Sequence, residues 1–246
     1  MISTDLISVT AHSGKKPSGI LVSIVIPALN EENNLGNVLV KLHKYFEHVG
    51  MDHEIIVVDD GSTDKTQEVA FHNGAKVLTN KTTQGKGFSL KCGFECAKGE
   101  IIVSMDADGS HNPNDIGKLI LPVQNGIDVA VGCRFKTAKG RATTTRVNLF
   151  GSHLINLVIQ IITGVAVTDS QCGFRAFKSK VLKEIAITSK GFAVETELTI
   201  KPLMLGYLME EVPIFARERV NGLSRLNPLR DGIKIFLEIF RSLITG

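Results

Sequence analysis

Tryptophan is absent from this sequence, tyrosine occurs twice, and aromatic residues make up only 6% of the chain. Proteins that hold single-stranded nucleic acid rely on such rings as stacking platforms. No run of basic residues stands in for them, so a nucleic-acid partner is not expected. Cysteine is also scarce. Cys92, Cys96, Cys133 and Cys172 include no C-x-x-C pair, which argues against a disulfide framework or a cysteine-rich metal cluster and fits a reducing, cytoplasmic compartment. The first strand candidate is not followed by Gly-x-Gly-x-x-Gly, so a dinucleotide cofactor is not expected. Residues 1–19 show no secretory leader and read as a flexible N-terminal tail.

Arginine is missing from the first half altogether. Residues 1–128 carry 11 Lys, no Arg and 16 acids, a net charge of −5. Residues 129–246 carry 17 basic and 9 acidic residues, a net of +8, and all nine arginines lie at or beyond Arg134. Guanidinium binds phosphate through two parallel hydrogen bonds, so the second half is expected to handle phosphates. From Val147 to Thr168 there is no Asp, Glu, Lys or Arg. That length suffices for a bilayer, but Asn148, Ser152, Asn156 and Gln160 recur every four residues and draw a polar stripe on a helix. An amphipathic helix, buried or interfacial, explains the segment without a transmembrane span. At the C-terminus, Arg230, Lys234, Glu238 and Arg241 share one helical face, opposite Ile233, Phe236, Leu237, Phe240 and Leu243. Residues 228–246 therefore read as a C-terminal amphipathic helix, suited to packing on the domain or lying in a membrane interface.

What is present in quantity is short β-branched runs alternating with helical patterns. Leu21–Ile26, Ile55–Val58, Ile101–Met105 and Val129–Val131 are strand candidates, with helices near 31–47, 64–72, 87–98 and 114–124. Nearly continuous apolar strands separated by helices predict an α/β, Rossmann-like architecture, a mostly parallel sheet with helices on both faces. Asn30 and Ser62 or Thr63 stand where helix N-caps belong. Asp106-Ala107-Asp108 follows the Ile101–Met105 strand directly. Residues i and i+2 of an extended segment point the same way, at the strand edge where open α/β sheets bind ligands. Two carboxylates so placed predict a hard divalent cation, Mg²⁺ or Mn²⁺, bridging to a diphosphate. Asp59-Asp60-Gly61-Ser62 ends another strand and offers acceptors to a nucleoside. Gln84-Gly85-Lys86-Gly87 opens a helix and would set Lys86 beside a phosphate.

Val25-Ile26-Pro27-Ala28-Leu29-Asn30-Glu31, Val57-Val58-Asp59-Asp60-Gly61-Ser62-Thr63-Asp64 and Met105-Asp106-Ala107-Asp108 together resemble glycosyltransferase family 2, which has the GT-A fold. Gly132-Cys133-Arg134-Phe135, Asp169-Ser170-Gln171-Cys172-Gly173-Phe174-Arg175-Ala176-Phe177 and Arg219–Leu226 resemble its dolichol-phosphate mannose synthases, and the Gln-Cys-Gly-Phe element also its dolichol-phosphate glucosyltransferases. The resemblance runs from about Leu21 to Leu226, and a GT-A domain is expected over residues 20–227. It implies an inverting hexosyltransferase acting from a sugar nucleotide, GDP-mannose favoured over UDP-glucose, onto polyprenyl or dolichyl phosphate. It implies peripheral contact with the cytoplasmic face of a membrane, with or without a membrane partner subunit.

Carried over by motif, Pro27, Ala28, Glu31, Val58 and Asp59 or Asp60 would hold the nucleoside. Asp106, Ala107 and Asp108 would hold metal and diphosphate, Lys86 and Arg134 would reach the donor, and Arg219 and Arg225 would clamp phosphates. Arg146, Ser152 and Asn156 would line the lipid-phosphate side, with Asp108, Arg134 and Arg146 nearest the chemistry. The sequence departs from the family where Leu29 replaces a frequent Tyr, where Ser110 takes the place of a metal-binding Gln, and where Leu223-Ser224-Arg225 replaces Glu-Ser-Lys. A processive polysaccharide synthase is disfavoured by the absent Trp of its Gln-x-x-Arg-Trp element. A nucleotidyltransferase is disfavoured because Pro27-Ala28-Leu29-Asn30 is no Gly-rich, Arg-containing loop. A non-catalytic sugar-nucleotide sensor is disfavoured by the intact Asp106 and Asp108.

Overall fold

The computed structural model describes residues 21–136 and 146–217, with Leu237 and Ile239 beyond them; the side chains of residues 146–150 are not described. The expected tail, Arg219, Arg225 and most of residues 228–246 lie outside the described residues.

Strands β1 (Val22–Ala28), β2 (His53–Asp59), β3 (Lys76–Thr79) and β4 (Ile101–Ser104) alternate with helices α1 (Glu32–Val49), α2 (Thr66–His72) and α3 (Lys86–Cys96). After β4 come a 3-10 turn (Pro113–Asp115), α4 (Ile116–Gln124) and β5 (Val129–Cys133). Then follow α5 (Arg146–Thr163), β6 (Arg175–Lys178), α6 (Ser179–Glu184), α7 (Val194–Met204) and β7 (Met209–Pro213). The strands form one sheet in the order β3-β2-β1-β4-β6-β5-β7. All pairings are parallel except those of β6, which runs antiparallel to β4 and β5.

The connections β1-α1-β2 and β2-α2-β3 step in one direction across the sheet, whereas β3-α3-β4 steps back past β1. Right-handed crossovers then put α1 and α2 on one face and α3 on the other. The packing agrees: a Cβ added to Gly93 of α3 would lie 2.3 Å from Val25 of β1 and 3.1 Å from Val58 of β2. The sheet core is mostly apolar, with Ile24, Ile26, Ile56, Val57, Val103, Val129 and Val131 all fully buried. The expected mostly parallel α/β sheet is therefore present.

Three strands escape the hydrophobic pattern. β3 and β6 are four residues each, and β7 is Met-Glu-Glu-Val-Pro. The expected helix caps are also corrected. Asn30 sits at φ 55° and caps nothing locally. Instead the two turns cap one another. Asn30 N–H donates to Ser62 Oγ at 2.8 Å, Thr63 N–H donates to Asn30 Oδ1 at 2.8 Å, and Glu31 N–H donates to Thr66 Oγ1 at 2.7 Å. The side chain of Glu32 accepts from Lys65 N–H, and that of Asp64 from Glu32 N–H. The free amides of both helix starts are thus met by the neighbouring turn.

The uncharged segment forms α5, an amphipathic helix, and no helix among the described residues is long and apolar enough to cross a membrane. Ile155 and Ile159 pack with Val167, Ala193, Ile200, Leu203 and Ile239. Ile239 is fully buried and Leu237 is 63% exposed.

Candidate active site

Parallel pairing places the C-terminal ends of β1, β2 and β4 side by side. Ala28 is in register with Asp59 and Pro27 with Val58, and β4 leads through Met105 into Asp106. Pro27, Ala28, Glu31, Val58, Asp59, Asp60, Asp106, Ala107 and Asp108 are thereby gathered along one edge of the sheet.

The two neighbouring aspartates differ in use. Asp60 is buried and fully engaged: Oδ1 accepts from Asn80 Nδ2 at 2.8 Å and Gln84 N–H at 2.9 Å, and Oδ2 from Gly85 N–H at 2.8 Å. Asp59 is equally buried, accepts Ser62 N–H at 3.2 Å, and has its pKa pushed up by burial. Glu31 Oε2 accepts from Asn34 Nδ2 at 2.8 Å.

Gly85 and Gly87 flank Lys86 because another segment crosses them. A Cβ on Gly87 would lie 2.0 Å from the Ser189 carbonyl oxygen, and one on Gly85 2.4 Å from that of Lys190. The Lys190 carbonyl accepts from the amides of both Gly87 and Phe88. The start of α3 is thus closed by protein and is not the phosphate cradle its glycines predict. Lys86 instead reaches inward, its Nζ 2.6 Å from Asp106 Oδ1 and 2.8 Å from Glu195 Oε1. Burial alone would raise the Asp106 pKa, but the Lys86 ammonium outweighs it and holds the carboxyl at about 2. Burial likewise opposes the Lys86 charge, and the two carboxylates overcome it and raise its pKa.

Asp108 Oδ1 accepts from Ser110 N–H at 2.9 Å. The turn is tied down from behind, since Arg217 Nε donates to the Gly109 carbonyl and its amide to that of Ser110. His111, absent from the sequence-based site, is 2% exposed, stacks on Phe174 at 5.3 Å, and leaves Nδ1 without a hydrogen-bond partner. Burial lowers its pKa against the pull of Asp106 and Asp108.

Arg134 lies at the end of β5 and grips Asp169, with Nε to Oδ2 at 2.8 Å and Nη2 to Oδ1 at 2.7 Å. Asp169 is fully buried and also accepts the Arg134 amide. Arg175 is fully buried and holds the motif before it: it donates to the carbonyls of Cys172 at 2.7 Å and Ser170 at 2.5 Å, to Thr199 Oγ1 at 2.9 Å, and pairs with Glu195 Oε2 at 3.1 Å. Asn156 braces the same segment by donating to the Thr168 carbonyl and accepting from Ser170. Arg146 begins α5.

The open α/β sheet has the GT-A fold, with Asp106 and Asp108 at its switch-point edge. The Glycosyl transferase family 2 model matches residues 23–186, and the chain belongs to that family. It is 34% identical over 224 residues to an uncharacterised protein of Methanocaldococcus jannaschii, covering 89% of this chain and 90% of that one. A polyprenol monophosphomannose synthase of Mycolicibacterium smegmatis is 32% identical over 216 residues, 83% of this chain and 80% of the relative. Among solved structures, mannosyl-3-phosphoglycerate synthase from Rubrobacter xylanophilus matches with TM-score 0.72 at 25% identity, over 92% of this chain and 73% of that one. Glucosyl-3-phosphoglycerate synthase from Mycobacterium tuberculosis, in complex with Mn²⁺ and UDP, shares the fold with TM-score 0.70 at 23% identity, over 93% and 80% of the two chains.

Proposed function

We propose that this glycosyltransferase moves one hexose, mannose favoured over glucose, from a sugar nucleotide to polyprenyl or dolichyl phosphate with inversion at the anomeric carbon. The observation that carries the reading is Asp106, kept ionised at the end of β4 two residues before Asp108, in a chain 32% identical to a polyprenol monophosphomannose synthase. The donor set fits a hard cation, because both groups are carboxylates and the Asp106 position already accommodates positive charge. Among the described residues no three His, Cys, Asp or Glu side chains gather into a metal cluster. Asp106 and Asp108 would supply two ligands, with Ser110 beside them and the diphosphate completing the shell. The cation, Mg²⁺ or Mn²⁺, would neutralise the departing diphosphate.

Pro27, Ala28, Glu31, Val58 and Asp59 would hold the nucleoside. Asp60, whose oxygens already hold the loop from Asn80 to Gly85, would shape the pocket. Lys86, Arg134, Arg219 and Arg225 would meet phosphates, and Arg146 with Ser152 the acceptor head. An acceptor phosphate has a second pKa of about 6, is already nucleophilic near neutrality and needs no protein base. Positioning and charge stabilisation are then sufficient.

Contact with the cytoplasmic face of a membrane is part of the proposal. Leu154, Leu157 and Ile161 of α5 and the following Val165 are 42%, 52%, 74% and 39% exposed, an apolar stripe suited to the headgroup boundary. Flotation with anionic vesicles at low salt, followed by release in alkaline carbonate, is the expected behaviour; failure to float removes the membrane clause.

A second reading, a soluble phosphorylated acceptor, is favoured by the likeness to mannosyl-3-phosphoglycerate synthase. One assay separates them. The protein is given labelled GDP-mannose or UDP-glucose, Mg²⁺, and either polyprenyl phosphate or 3-phosphoglycerate. Labelled glycolipid is the expected product. Transfer to phosphoglycerate alone would overturn the lipid acceptor.

A further inference from the structure

Asp106 and three charged side chains near it form a neutral, largely buried set of four. Lys86 lies between Asp106 and Glu195 at 2.6 and 2.8 Å, and Arg175 pairs with the other oxygen of Glu195 at 3.1 Å. The side chains are 15% exposed for Lys86, 29% for Asp106, 4% for Glu195 and fully buried for Arg175. Gly173 makes the room: a Cβ there would lie 2.8 Å from both Asp106 Oδ2 and Lys86 Nζ. Two cations balance two anions, so the metal-free protein leaves none of these charges uncompensated. Such compensation is what makes burying ionised groups tolerable. A divalent cation at Asp106 would break this balance, since it and the ammonium would compete for one carboxylate at close range.

We propose that Lys86 is a resident counter-cation for Asp106, displaced from it by the divalent ion, and that Glu195 is the positioning residue that retains the displaced ammonium within reach of the diphosphate. This deepens the reading above and rests on its assignment of Asp106 as a metal ligand. Glu195 suits the task because its buried carboxylate lies against both cations, Oε1 2.8 Å from Lys86 Nζ and Oε2 3.1 Å from Arg175 Nε, and neither oxygen is committed to a hydrogen bond elsewhere. The ammonium therefore pivots about Glu195 and does not leave the site. Metal alone then binds weakly, and metal with nucleoside diphosphate binds tightly, because the diphosphate gives Lys86 a new partner.

The test is Mn²⁺ binding to the full chain, followed by the paramagnetic signal of free Mn²⁺ at pH 8, with and without GDP or UDP. Lys86→Met should bind Mn²⁺ alone at least about tenfold more tightly than the wild type, since a competing cation is gone. Lys86→Gln, which keeps a hydrogen-bond donor without the charge, should do the same and serves if the Met variant does not fold. Glu195→Gln should weaken nucleoside diphosphate binding with Mn²⁺ severalfold, and this loss should vanish in a Lys86→Met background. A purely structural Glu195 would give losses that add. Unchanged or weaker Mn²⁺ binding in the folded Lys86 variants overturns the counter-cation, and additive losses overturn the role of Glu195. If the wild type binds no Mn²⁺ even with a nucleoside diphosphate, the metal reading falls and this inference with it.

Discussion

The two halves of the molecule hold their functional carboxylates by different means. In residues 21–128 Asp59, Asp60 and Asp64 are met mostly by backbone amides, whereas Asp106 leans on a charged side chain, Lys86. Asp60 is met by Gln84 and Gly85 N–H, Asp59 by Ser62 N–H, and Asp64 by Thr66 and Glu32 N–H. From residue 129 onward charged side chains join the amides: Arg134 bonds Asp169, Arg175 lies against Glu195 and Lys201 bonds Glu197, while Glu197 and Glu211 also accept from backbone N–H groups. The first half is parallel sheet, whose regular turns present amides at fixed places. The second contains the antiparallel β6 and long connections, where the chain must be pinned by specific ion pairs. This also changes the meaning of the arginine asymmetry. Arg134, Arg175 and Arg217, the arginines whose side chains are described, each grip another part of the protein.

The comparison breaks most visibly at Arg175. Arg175→Leu removes four internal contacts and leaves the Ser170 and Cys172 carbonyls and Glu195 short of partners. Breaking a buried pair from one side costs about 3–5 kcal/mol, so a loss of unfolding free energy of that size, seen as a lower Cm at unchanged m, is expected in urea unfolding. A loss below about 1 kcal/mol would mean that the second half does not depend on its ion pairs. Asp108→Ala, in the first half, should act on the reaction and not on the fold. Turnover should fall at least about 10²-fold, the scale of losing one main electrostatic stabiliser, with little change in thermal unfolding. Full wild-type activity in excess EDTA would remove the basis for this.

The same contrast explains what could be read from sequence. β1, β2, β4 and β5 are buried on both faces, so their apolar runs are continuous and legible. β6 is Arg-Ala-Phe-Lys and holds a buried arginine, so no hydrophobic pattern marks it, and its antiparallel direction has no local signal at all. Asp106 and Asp108 were legible because they follow a recognisable strand. Lys86 was legible as a cation near the site, but its glycines pointed to a phosphate cradle, whereas the Ser189–Lys190 backbone is what requires them. Glu195 sits in Val-Glu-Thr-Glu-Leu, which reads as an ordinary acidic first turn. Its partners are 109 residues before it (Lys86) and 20 residues before it (Arg175), a separation that only the tertiary fold resolves.

Gly87 and Gly191 sharpen the comparison at the contact between halves. Gly87→Ala would drive a Cβ to within 2.0 Å of the Ser189 carbonyl oxygen, a backbone atom that yields only if the loop moves. Overpacking of this kind costs about 1–3 kcal/mol, and the displaced Lys86 should raise KM for the sugar nucleotide. Gly191→Ala meets nothing within 4 Å and has no left-handed backbone angle. It should be neutral, or slightly stabilising through the unfolded chain. Equal effects at both positions would show that the close approach is not what selects glycine at Gly87.

The smallest expected effect concerns pH and tests the second half alone. Glu197 is fully buried, and its carboxylate accepts from Lys201 Nζ at 2.7 Å and from Thr188 N–H, Thr188 Oγ1 and Ser189 N–H at 2.8 Å. Burial alone would raise its pKa; the hydrogen bonds from Lys201, Ser189 and Thr188 overcome that and lower it below the ordinary value of 4.5. A folded-state pKa below the unfolded one contributes stability that is complete above about 4.5 and is lost as pH falls through the folded value. Glu197→Gln removes this proton-linked part while keeping the shape of the side chain. The stability gap between wild type and variant should therefore be widest near neutrality and close steadily below about pH 4.5. Urea unfolding at a series of pH values measures it. A gap that stays constant with pH would assign the contribution of Glu197 to packing and hydrogen-bond geometry, and the charge-pinned description of the second half would then rest on Arg134 and Arg175 without it.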